Sequence, residues 1–143
     1  MDAKEYLLQI KRIETRIKNI DEEIERLHSE IITIRSAWPD GQPHGSGKSD
    51  PVGDLAVKLV VELEEIETKQ LILRGNLWRT RNEIITTLGK LEHAEHNRLL
   101  YLRYVKGEQW ERIALDMHYS YQWVCGGLHD NALQALQETL DRN

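Results

Sequence analysis

Cysteine is nearly absent from this 143-residue chain. The one thiol, Cys125, has no partner for an internal disulfide, which fits a reducing compartment such as a cytoplasm. Long apolar runs are missing as well. No stretch approaches the roughly 18 apolar residues of a membrane span, so no membrane partner is expected. The start of the sequence is charged from Asp2 onward and lacks the apolar core of a secretory signal, which argues against export. Proline is confined: all three prolines, with four of the nine glycines, fall within residues 38–53.

Catalytic signatures are also missing. There is no GxSxG, no HExxH, and no pair of carboxylates outside ordinary helix faces. GSGK at 45–48 is a fragment of a phosphate loop without its preceding strand, and reads as linker. His93 and His96 stand three apart, a spacing that could bring two ligands together on a helix. No third ligand accompanies them at metal-binding spacing. The expectation is a protein that is not an enzyme, with no catalytic residue, no metal and no cofactor.

What is present is helical patterning, in a composition 40% hydrophobic and 30% charged. Tyr6, Ile10, Ile13, Ile17, Ile20, Ile24, Leu27, Ile31, Ile34 and Trp38 alternate spacings of four and three, the a/d seam of a coiled coil. Residues 38–53 cannot be a helix interior and read as a flexible loop. Asp50-Pro51 then offers an N-cap followed by proline at the first helical position. Ala56, Leu59, Leu63, Ile66, Leu73, Leu77 and Ile84 continue a second seam, with Gln70 and Thr80 as polar interruptions. Two long helices of similar length joined by a loop predict an antiparallel helical hairpin over 1–88.

That hairpin has more apolar surface than two helices can cover. Val57, Val60, Val61, Leu71, Ile72 and Trp78 lie beside the seam. Either the C-terminal helices fold back over them or a second chain does; a homodimer with a four-helix centre is the favoured expectation. Gln70 either fixes register there or is simply exposed.

Past Gly89 the pattern changes. Leu99, Leu100, Leu102 and Val105 supply one short helix, ended by Lys106-Gly107. Trp110, Ile113, Ala114 and Met117 mark one face of a second. His118-Tyr119-Ser120 follows, with Ser120 as N-cap of a third whose stripe is Val124, Leu128, Ala132, Leu133 and Leu136. The expected architecture is all-α: a hairpin over 1–88, then a small helix-turn-helix domain over 89–143.

The spacing of Arg103-Tyr104, Gly107, Trp110, Ile113-Ala114, Met117, Tyr119-Ser120, Trp123-Val124, Leu128-His129 and Ala132-Leu133 resembles a family of phage and prophage sigma-factor-like proteins of Gram-positive bacteria, akin to ArpU-type late transcriptional regulators. The opening MDAKEYLLQIKRIE and the DPVGDLAVKLVVELEEI segment are similar to the same family. The resemblance implies a fold like sigma-70 region 4, promoter DNA as partner, RNA polymerase as a second partner, and work in the cytoplasm of a bacterial host.

On that reading Ser120, Tyr121, Gln122, Cys125, Gly126 and His129 face the bases, while Arg98, Lys106 and Arg112 hold phosphates. Charge runs the other way. Residues 91–143 carry five basic against eight acidic side chains, and none of residues 121–141 is Lys or Arg. Gln122 can still read adenine, and Tyr121 can pack on a thymine methyl or hold a phosphate. Gly126-Gly127 departs from the family's pattern: the helix is loosened there, or its backbone comes close to something. The alternative function is a protein-binding module, a hairpin with a degenerate helix-turn-helix that modulates a host protein with little DNA binding.

Overall fold

A computed structural model describes residues 1–37 and 51–143. The chain is all-α, and no strand occurs among the described residues. Helix α1 runs Ala3–Ser36 and α2 runs Pro51–Leu88. Helix α3 (Ala94–Leu100) passes directly into a π-helical turn, π1 (Tyr101–Val105). After α4 (Trp110–Met117), α5 (Tyr121–Trp123) runs through a second π segment, π2 (Val124–Leu128), into α6 (His129–Asp141).

Pro51 takes the first helical position of α2, where its missing N–H costs no hydrogen bond. Residues 51–53 therefore belong to the helix and not to the expected loop. Trp38, Asp50 and the GSGK fragment lie outside the described residues. Gly89 follows the last residue of α2, as its position in the sequence suggests. Gly107 stands at φ 75°, the left-handed conformation expected of it after π1.

The chain divides into two compact units, residues 15–75 and the combination of 1–14 with 76–143. In the first, the later part of α1 packs antiparallel on the earlier part of α2. Leu27 and Ile31 meet Leu59 and Leu63 in a buried cluster, flanked by Ile24, Ile34, Val60 and Ile66. These are seam residues in both helices except Val60, which packs beside them. Gln70 donates through Nε2 to Asp21 Oδ1 across the pair, and Arg74 reaches the same carboxylate at 3.4 Å. Gln70 thus ties the register of the hairpin within one chain.

The second unit departs from the expected boundary. Residues 89–143 do not close a core among themselves: Ala3, Tyr6, Leu7 and Ile10 of α1 and Ile84 and Leu88 of α2 join Leu99, Leu100, Leu102, Ile113, Ala114, Val124, Leu128, Ala132 and Leu136 in one buried cluster. The reason is size. Helices of 7 to 13 residues are marginal alone and bury too little between them. Polar contacts pin the same joint. The Ala3 N–H donates to Gln137 Oε1 at 2.7 Å, and the Tyr6 and Thr87 hydroxyls pair at 2.9 Å.

Leu7, fully buried, lies off the a/d seam and belongs to this joint. Leu7→Ala should cost about 2–5 kcal/mol, and amide exchange should show the loss in α3, α4 and α6. Exchange there unchanged from the parent would mean that the C-terminal helices fold without α1.

Candidate nucleic-acid interface

The segment that resembles a helix-turn-helix is built from α4, a three-residue turn and the run from α5 to α6. Ile113 and Ala114 seat α4 in the core. His118 then takes a left-handed conformation at φ 60°, an uncommon one for a residue with a β-carbon. It reverses the chain so that the Tyr119 N–H reaches the Ala114 carbonyl at 3.1 Å. Ser120 caps the next helix as its sequence position indicates: its Oγ accepts from the Trp123 N–H at 3.2 Å.

The expected base-facing residues separate into two groups. Ser120, Tyr121 and Gln122 are exposed in the first turn. Cys125 and Gly126 are half-buried within π2, and His129 is buried at 9% exposure. The inward placement of His129 corrects the expectation that it faces DNA. A π turn takes one more backbone unit to close than an α turn. Side chains beyond it are therefore offset from where an α-helical count from Tyr121 puts them.

Gly126-Gly127 lies inside this π segment, so the helix is loosened there, and at Gly127 its backbone also comes close to a side chain. The two glycines are not equivalent. A β-carbon on Gly126 would meet nothing within 4 Å, whereas one on Gly127 would stand 2.3 Å from the Trp123 ring. Gly127 lets that indole lie against the helix.

The three expected phosphate ligands do come together. Arg98, Lys106 and Arg112 line one small cleft with Glu108 and Asp116. Two of them are already paired: Arg98 makes a two-pronged contact with Asp116 at 3.2 Å through Nε and Nη2, and Arg112 stands 3.8 Å from Glu108. Arg98 holds the Asp116 carboxyl below the usual carboxylate range. These pairs are on the surface, where such contacts are weak and can be exchanged for a phosphate.

Around the turn, Leu115, Tyr119 and Tyr121 form an open apolar depression with Ala114 and Glu111. Leu115 is 75% exposed. The Tyr119 hydroxyl donates to Glu95 at 2.7 Å. Of the six residues expected at a dimer interface, Val57, Val61, Leu71, Ile72 and Trp78 are exposed and Val60 is half-buried against the hairpin core.

Sequence reasoning missed the cluster that holds His129. Its Nε2 and the Tyr104 hydroxyl lie 2.8 Å apart, its ring meets Trp110 edge-on, and the Arg103 guanidinium stacks over Trp110 at 4.5 Å. The signal available was that Arg103, Tyr104, Trp110 and His129 all belong to the resembling pattern. Comparison with protein-family models, curated proteins and solved structures gives no match to this chain.

Burial holds the His129 imidazole below its ordinary value; Asp130 opposes this, while Lys4 and Arg103 add to it. His96 is lowered too, by burial first and by His93. The unfolded chain thus takes up these protons at the ordinary histidine value of 6.5 and the folded chain only at lower pH. Stability should be full above that value and fall as pH drops through the folded pKa values. Denaturant unfolding at a series of pH values should show the decline, and His129→Gln should flatten it. An unchanged slope in that variant would remove His129 as a source.

Proposed function

We propose that this protein is a DNA-binding transcription regulator of the phage and prophage type, with α4, the turn and α5 serving as a sigma-region-4-like helix-turn-helix. The observation that carries the reading is the first turn after Ser120. It is capped, exposed, and presents Tyr121 and Gln122 where recognition helices meet base edges. The cluster of Arg98, Lys106 and Arg112 supports it as a grip on phosphates. With His129 turned inward, Cys125 half-buried and Gly126 without a side chain, reading rests on Ser120, Tyr121 and Gln122. RNA polymerase is the second partner on this reading.

Self-association belongs to the same proposal. Val57, Val61, Leu71 and Ile72 stand exposed on α2 in the hairpin unit, and the face of a second copy would cover them. A dimer would double the phosphate contacts of a chain whose net charge is −5. Sedimentation should then find a dimer at micromolar concentration, shifted to monomer by Leu71→Glu with Ile72→Glu. A monomer in the parent chain would remove this part.

One observation favours a second reading, a module that binds a host protein. Leu115, Tyr119 and Tyr121 form an apolar surface of a kind that protein partners cover. Binding to the promoter region of the host phage at several salt concentrations separates the two. A regulator should bind site-specifically, with affinity falling as salt rises. Tyr121→Ala with Gln122→Ala should lower discrimination between sites by about tenfold or more. Arg98→Gln with Arg112→Gln should weaken binding to all sequences alike. No binding at low salt would leave the protein-binding reading.

A further inference from the structure

We propose that the cleft between the first turns of α1 and the two π segments is a binding site for a small organic anion, a phosphate or carboxylate on an apolar body. The site lies within the unit of 1–14 and 76–143 and is independent of the DNA reading. It has a volume of about 530 Å³, within the range of small-molecule pockets.

Its lining has two chemistries. Lys4, Lys11 and Arg103 bring three cations against one carboxylate, Glu14, and that carboxylate is already engaged by Arg81 at 2.5 Å. Among the described residues no carboxylate pairs with Lys4 or Arg103. In a chain of net charge −5, this concentration of positive charge sits beside low-dielectric walls that strengthen its field. Those walls are Leu7, Leu8 and the rings of Tyr104 and Trp110.

The guanidinium of Arg103 is fixed before any ligand arrives. It stacks on Trp110 and donates from Nη1 to the Glu108 carbonyl at 3.1 Å, so little side-chain freedom remains to be lost on binding. Lys4 and Lys11 are seven apart on α1, two turns, and lie on one side of that helix. Gly107 keeps the space beside it clear: nothing lies within 4 Å of where its β-carbon would stand. Anion charge would meet Lys4, Lys11 and Arg103, while an apolar body would lie against Leu8 and the rings of Tyr104 and Trp110.

Titration of the full chain with phenyl phosphate and with inorganic phosphate, followed by amide shift perturbation, tests the site. Phenyl phosphate should bind with Kd of about 1 mM or tighter, with shifts gathered at Leu7, Leu8, Tyr104, Cys125 and His129. Inorganic phosphate should bind about tenfold more weakly, and Lys4→Gln with Lys11→Gln should weaken phenyl phosphate about tenfold. Both lysines are exposed, so the variant should melt with the parent, which a thermal scan checks. Shifts confined to other surfaces, equal affinity for the two phosphates, or affinity unchanged in the double variant would each overturn the proposal.

Discussion

The structure depends on burying the short C-terminal helices against the two ends of the long ones. Leu7 and Ile10 from α1 and Ile84 and Leu88 from α2 stand at 1% exposure or less, and they share a core with Leu99, Leu100, Ile113, Leu128 and Leu136. Everything that could serve function in this unit is fastened to that joint. The capped first turn at Ser120, the cluster of Arg98, Lys106 and Arg112, and the Tyr104, Trp110 and His129 side of the pocket all rest on segments too short to hold their shape alone.

This arrangement explains which parts of the fold were legible in the sequence. The heptads announced the hairpin because one uninterrupted period fixes one face. Ser120, Gly107 and Pro51 announced helix ends because each has a local reason for its place. The boundary at 88 was not legible by the same means. A seam written in α1 and α2 describes how they meet each other, not what else they touch. The clue was Leu7: with Ala3 and Ile10 it makes a second apolar stripe beside Tyr6, wider than two helices need. Such a doubled face marks a third partner.

The candidate site divides along similar lines. Residues whose role depends on the capped first turn, Ser120, Tyr121 and Gln122, are exposed where the spacing put them. Cys125 and His129 lie inward because the count that placed them assumed an unbroken α-helix. Local spacing also gave no sign of the cleft that Arg98 shares with Lys106 and Arg112, since α3 and α4 are brought together by the core and by the surface pair of Arg98 with Asp116. His118 was equally hidden: a left-handed residue without glycine leaves no trace in a hydrophobic pattern, yet it turns the chain.

The π segment from Val124 to Leu128 joins two faces with different duties. Upstream of it the side chains are exposed; downstream they fill the core through Ala132, Leu136 and Thr139. The angular phase between those faces is set by how many residues the segment contains rather than by which residues they are. Gly126, with open space around it, can be exchanged for another residue without altering that phase. Losing or gaining one residue within it would swing Tyr121 and Gln122 around the helix axis by about 100° relative to α6, and would also pull Val124 or Leu128, both buried at the ends of the segment, out of register with the core. In this protein the direction in which the exposed turn points is therefore a property of segment length, and the burial of Val124 and Leu128 at the two ends of the segment holds that length fixed.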